Sequence, residues 1–307
     1  MGIDQTTVDA VAAGHASRTR ALAFIALLAG GALLGLSPIF VRLADVGPVA
    51  SAFWRVALAV PFLWIWVLAK EGVRRPVSSL FGVALLAGVF FAADLAVWHW
   101  SIVYTSVANS TLLANFAPIF VTFGGWLLFR QRVSVGFVAA MLTALAGAWL
   151  LIGPSVALGG TRLFGDLLGL LTAVFYASYM LSIKHARQGV STALIMAVST
   201  SITVAALLPI AGFSPQPMLP SSARGWGVLL GLALVSQVLA QSLIAYAFAH
   251  ISAALSSVAV LTQPVVAAVI AWVLFGETLM GPQLIGAALV FAGIVAARRA
   301  ESITTNP

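Results

Sequence analysis

Residues 106–129 read SVANSTLLANFAPIFVTFGGWLLF, and residues 252–275 read SAALSSVAVLTQPVVAAVIAWVLF. A shift of 146 residues aligns the two without a gap. Ser106 then meets Ser252, Ala108 meets Ala254, Ser110 meets Ser256 and Pro118 meets Pro264. Trp126 meets Trp272, Leu128 meets Leu274, Phe129 meets Phe275 and, further on, Gly147 meets Gly293. Apolar helices match one another by chance because Ala and Leu are common. A shared proline and tryptophan at fixed spacing point instead to duplication.

Each stretch is long enough to cross a bilayer, which takes about 20 apolar residues for about 30 Å of hydrocarbon. Outward from them the chain divides into ten such runs: 21–43, 47–70, 79–101, 104–129, 134–153, 163–185, 191–211, 225–248, 252–275 and 281–298. The runs are continuously apolar, which favours helices over the alternating strands of a barrel. Each copy holds five spans. An odd number puts the second copy into the membrane upside down, so the expected fold is an all-α membrane protein of two inverted five-helix repeats. The repeats are placed at 21–153 and 163–298.

Composition agrees. Of 307 residues, 62% are hydrophobic and 7% charged, against about 45–50% and about 25% in a soluble domain. The net charge of +7 comes from short basic clusters between spans and does not imply nucleic acid. The absence of cysteine excludes disulfides and thiolate metal sites. Residues 1–20 are polar and small, and are expected to form a disordered cytoplasmic tail, with 299–307 a second tail. The first apolar run is too long for a signal-peptide core.

Orientation follows the placement of Lys and Arg. One side would hold Arg18, Arg20, Lys70, Arg74, Arg75, Arg130, Arg132, Lys184, Arg187, Arg298 and Arg299, eleven in all. The other would hold Arg42, Arg162 and Arg224. Both termini are therefore expected in the cytoplasm. The longest connection, between spans seven and eight, carries Pro215, Pro217 and Pro220 with Ser214, Ser221 and Ser222 and predicts an ordered turn region.

The run Gln263-Pro264, then Leu274-Phe275-Gly276-Glu277, then Gln283-Leu284-Ile285-Gly286-Ala287 and Gly293 resembles the end of an EamA domain of the drug/metabolite transporter superfamily. Ser106 to Phe129 looks like the same stretch of a first domain, except that Arg130-Gln131 stands where Gly-Glu is common. The resemblance covers about residues 21–298. The aromatic-rich third span and the ten-helix plan look most like the YddG-type (aromatic) amino-acid exporters. The resemblance implies a bacterial inner-membrane exporter with a central cavity, working by alternating access. These motifs are structural and do not identify the substrate.

Polar groups inside spans are costly and mark function by default. Asp94 lies well inside the third span, as a proton-coupling carboxylate, a counter-charge for a substrate amine, or a hydrogen-bonded structural group. Trp98 shares its face one turn on, followed by His99 and Trp100. Trp100 and Tyr104 fit an interfacial aromatic belt. Gln237 and Gln241 form a stripe on span eight, Asn109 and Asn115 lie on span four, Tyr176 and Tyr179 on span six, Gln263 on span nine and Ser37 on span one. Each amide either glues helices together or lines a polar path. Pro118 and Pro264 are hinge or site-lining kinks, or static ones. Arg42 and Arg55 attract a carboxylate or snorkel to the interface. Glu277 reads as a turn cap.

These features favour a carrier of small molecules over a membrane-embedded lipid-modifying enzyme. There is no HExxH, no P-loop, no paired carboxylates at helical spacing and no serine beside a base. A channel would favour charged rings or a filter sequence. Drugs, sugars or nucleotides remain alternative cargoes to amino acids. No cofactor or metal is expected, the partners are the substrate and the bilayer, and the chain is a monomer or homodimer.

Overall fold

In the computed structural model, residues 5–71, 80–105, 107–152, 161–276 and 281–305 are described. Ten helices in it are long and apolar enough to cross a membrane, from Ser17–Leu43 to Gly281–Glu301. An even number leaves both ends of the chain on one side, here the terminal side. The polar stretch expected to be a disordered tail is helical from Gln5, in one helix Gln5–Leu34. The last helix likewise runs on through Gly281–Thr305.

Four spans are broken, and the breaks have one cause. The first halves of spans one, two, four and nine end at Leu34, Ala57, Ala114 and Val260. Each stands four residues before a proline: Pro38, Pro61, Pro118 and Pro264. Proline lacks an N–H, and its ring clashes with the carbonyl four residues back. The helix therefore stops there and restarts, at Ser37, Ala59, Ala117 and Thr262. N–H groups at the turns bond one residue shorter, as Leu36 N does to Leu33 O at 3.1 Å, and Leu261 N to Val258 O at 3.1 Å. Asn115 and Leu261, where spans four and nine turn, are 146 residues apart.

The inverted repeat is explicit where spans five (Val135–Ile152) and ten (Gly281–Thr305) cross. A methyl group added to Gly147 would lie 2.6 Å from the Gly286 carbonyl oxygen and 2.6 Å from Val290 N. One added to Gly293 would lie 2.7 Å from the Ala140 oxygen and 2.6 Å from Ala144 N. Shifting 147 and 140 by 146 gives 293 and 286, so each contact is the image of the other. The helices run antiparallel about an axis between them, packed backbone to backbone because glycine permits it.

The halves interleave. Span three packs on spans six and seven, span one on spans eight and nine, span four on span six, and span two on spans seven and eight. The mid-membrane parts of spans one, two, three, six, seven and eight thereby share one interior. Trp100 and Tyr104 are exposed at the end of span three, as an aromatic belt requires.

Candidate functional site

Eight polar side chains from both repeats meet inside. Arg55, on Pro48–Ala57, was expected as readily at the interface as at a ligand, but it is 9% exposed and points inward. Its Nε donates to Gln237 Oε1 at 3.2 Å, and its Nη1 reaches Ser37 Oγ at 3.5 Å. Ser37 is there because it opens the second half of span one, just past the break before Pro38. Gln237 Nε2 donates in turn to Thr200 Oγ1 at 3.1 Å on span seven. Asp94 is buried midway along span three.

An aromatic wall completes the group. Phe91, one turn before Asp94, stacks on Tyr179 with centroids 4.6 Å apart and 25° between planes. Tyr176 lies parallel to Tyr179 at 6.1 Å. The Arg55 guanidinium carbon stands 5.6 Å from the Phe91 centroid, within reach of a cation–π attraction. The Tyr179 hydroxyl donates to Gln241 Oε1 at 3.4 Å. The Tyr176 hydroxyl is buried beside the Gln241 amide.

Of the residues singled out in the sequence, Ser37, Asp94, Tyr176, Tyr179, Gln237 and Gln241 come together. Trp98 is half-buried one turn beyond Asp94, and Asn109 is half-buried on Val107–Ala114, which packs on span six. Asn115 bonds back to Thr111 O at 2.8 Å on its own helix. The His99 side chain and Glu277 lie outside the described residues. Sequence reading gave Arg55 no preference over a snorkelling role, and it passed over Phe91 and Thr200. It also took span eight as plain α-helix. Leu232–Ala240 is a π-helix, a form concentrated at functional sites, and it carries Gln237 toward Arg55 while Gln241 faces Tyr179.

Two further sets of bonds lie away from this interior, and the first ties the connection after span one to the one before span eight. On the side opposite the termini, Asp45 Oδ2 accepts from Ser221 N at 3.1 Å, Ser221 Oγ at 2.8 Å and Ser222 Oγ at 3.1 Å. The Ser221 hydroxyl, with those of Ser222 and the backbone, holds this carboxyl below its ordinary range. Gly47 N donates to Pro217 O at 3.4 Å, and Trp54 Nε1 to Met218 O at 2.7 Å. The predicted turn region is thus clasped to the connection between spans one and two. On the terminal side, Lys184 Nζ donates to Phe248 O at 2.6 Å and Ile251 O at 2.8 Å. It thereby satisfies carbonyls left over where span eight ends.

A buried arginine and aspartate, amides and stacked rings gather at mid-membrane. The model of the EamA-like transporter family matches residues 21–153 and 163–299. This chain belongs to that family. It is 27% identical over 252 residues to an uncharacterized transporter of Archaeoglobus fulgidus, covering 82% of this chain and 87% of that one. It is 27% identical over 209 residues to the pseudopaline exporter CntI of Pseudomonas aeruginosa, covering 67% and 70%. It is 24% identical over 185 residues to a riboflavin transporter of Brucella anthropi, covering 59% and 64%. A solved crystal structure superposes with a TM-score of 0.77 at 18% identity, over 94% of this chain and 99% of the other, which establishes the shared fold. The EamA-like chain is thus a multi-pass membrane transporter.

Proposed function

We propose that this transporter exports small zwitterionic metabolites, amino acids with aromatic or other apolar side chains foremost, by alternating access. The observation that carries the reading is Arg55 and Asp94 buried together beside Phe91, Tyr176 and Tyr179. Arg55 takes the substrate carboxylate, for which its planar fork is suited. Asp94 takes the ammonium group, or a proton when no amine is present. The rings take the side chain, and the buried Tyr176 hydroxyl adds a hydrogen bond. Gln237 and Ser37 hold the guanidinium in place. Trp98 and Asn109 line the approach.

The halves rock about this site on the paired breaks before Pro118 and Pro264, which lie at matching positions in the two repeats. The eleven-to-three distribution of basic residues supports a cytoplasmic position for both termini in a bacterial inner membrane. The Asp45 clasp then belongs to the outer side. The printed names of the relatives cover a pseudopaline exporter and a riboflavin transporter. Riboflavin therefore belongs among the cargoes tried.

Proteoliposomes with labelled amino acids under an imposed pH gradient test this. Aromatic or apolar amino acids should move, and Arg55→Gln should abolish their movement. Asp94→Asn should abolish it too, or uncouple it from the gradient. Transport of riboflavin with no amino acid moved would overturn the substrate assignment. Amino-acid transport unchanged in both variants would remove the site.

A further inference from the structure

Arg130 is the one described non-glycine residue with a positive φ, at φ 53 and ψ 28. It ends span four as Gly276 ends span nine, at φ 67 and ψ 20, and the two are 146 residues apart. The second copy uses the residue that pays no steric penalty for this conformation. The first copy puts an arginine there against that penalty. Strain that persists at one position invites a functional reading.

The arginine so held lines a surface groove of about 290 Å³ with Arg132, Trp126 and Leu127. All four are exposed. Neither guanidinium has a hydrogen-bond or ion-pair partner among the described residues. Arg130 directly follows the last residue of the span, Phe129, and Arg132 lies in the short connection to Val135. Trp126 and Leu127 sit one turn inside, on a face that includes Phe123, Leu127 and Leu128, more than half exposed. The groove therefore has a cationic rim at the edge of the hydrocarbon and an apolar floor within it.

The matching end of span nine keeps Trp272 and Val273 but has the uncharged Gly276 where Arg130 stands. The frame is symmetric and the charge is not.

We propose that this groove binds an anionic phospholipid of the leaflet on the terminal side. Its phosphate bridges Arg130 and Arg132, and an acyl chain lies along Trp126 and Leu127. Basic grooves at the ends of spans hold acidic headgroups in this way. A free phosphate would match the rim but leave the apolar floor unused.

The full-length protein in phosphatidylcholine nanodiscs, doped with phosphatidylglycerol or cardiolipin, provides the test, with retained lipid counted by native mass spectrometry. The wild type should retain the anionic lipid in preference to phosphatidylcholine. Arg130→Gly with Arg132→Gln should weaken that retention roughly thirty-fold, from a contribution of about 1 kcal/mol for each cation near the surface. Arg130→Gly suits the left-handed backbone, so the variant keeps its fold, and its melting curve checks this. Arg162→Gln, a basic residue at the other face, should leave retention as it is. Equal retention of neutral and anionic lipid would overturn the proposal. So would an unchanged preference in the double variant, an equal loss in Arg162→Gln, or displacement of the lipid by inorganic phosphate at comparable concentration.

Discussion

Arg55 Nε donates to Gln237 Oε1 at 3.2 Å, between residues 182 apart in the chain. The buried cation of the first repeat is therefore held in place by the second. Removing it leaves the buried Gln237 Oε1 and Ser37 Oγ without this donor, which costs about 1–3 kcal/mol. Arg55→Met should lower stability in detergent by that order. Adding Gln237→Leu should restore part of it, while transport stays lost in both. A double variant no more stable than the sum of the two single losses would refute the link.

Gly147→Ala and Gly293→Ala should each destabilise by about 1–3 kcal/mol, as overpacking does. Their methyl groups would stand 2.6 Å from the facing backbone. The two losses should be alike, because the sites are images of each other. Gly227→Ala meets nothing within 4 Å and should be neutral or stabilising by up to about 1 kcal/mol. Thermal unfolding of the three variants decides it.

How far the site was legible follows from the same physics. Asp94, Gln237, Gln241, Tyr176, Tyr179 and Ser37 stood out because polar groups at membrane depth are expensive. Arg55 did not, because an arginine near one end of an apolar run has the same letters whether it snorkels or turns inward. Gln237 decides which, from 182 residues away. Pro118 and Pro264 were visible through the repeat, but Pro38 and Pro61, without a matched partner in the aligned stretch, were not. The π-helix at Leu232–Ala240 contains neither Gly nor Pro to announce it.

The Asp45 clasp gives a pH window. Its carboxyl is held below the ordinary range, first by the Ser221 hydroxyl. A lowered folded value means the stabilisation is complete above the ordinary carboxylate pKa of about 3.9 and is lost as pH falls through the folded value. From pH 5 to 8 the clasp should not change. Spin labels at Leu43→Cys and Leu219→Cys, both exposed positions in a chain without cysteine, should keep one short distance over that range. With Asp45→Ala the distance should lengthen or broaden at every pH. A wild-type distance that lengthens between pH 8 and 5 would show another group in control.

His250, in the turn after span eight, is made harder to protonate by burial first, then by Arg187 and Lys184. The unfolded chain therefore takes up the proton more readily. Stability contributed here is full above the ordinary value near 6.5 and declines as pH drops below it. His250→Gln should flatten the fall in melting temperature between pH 7 and 5. An unchanged slope would place the effect elsewhere.

Arg130→Gly should raise stability by about 1 kcal/mol in neutral detergent, by relieving a left-handed arginine. Gly276→Arg should lower it by a similar amount, and unfolding midpoints of the pair provide the comparison.

The crossing of spans five and ten has a consequence for where such a chain comes from. A surface on which 147 meets 286 and 293 meets 140 is self-complementary once the numbering of the copies is removed. That is the definition of an isologous interface, in which i meets j and j meets i. A polypeptide of half the length, inserted in both orientations, carries this seam already and can close on its own inverted twin. Fusing two such genes adds no new contact there. It frees each copy to diverge, so that one keeps Asp94 and Arg55 while the other supplies Gln237 and Gln241.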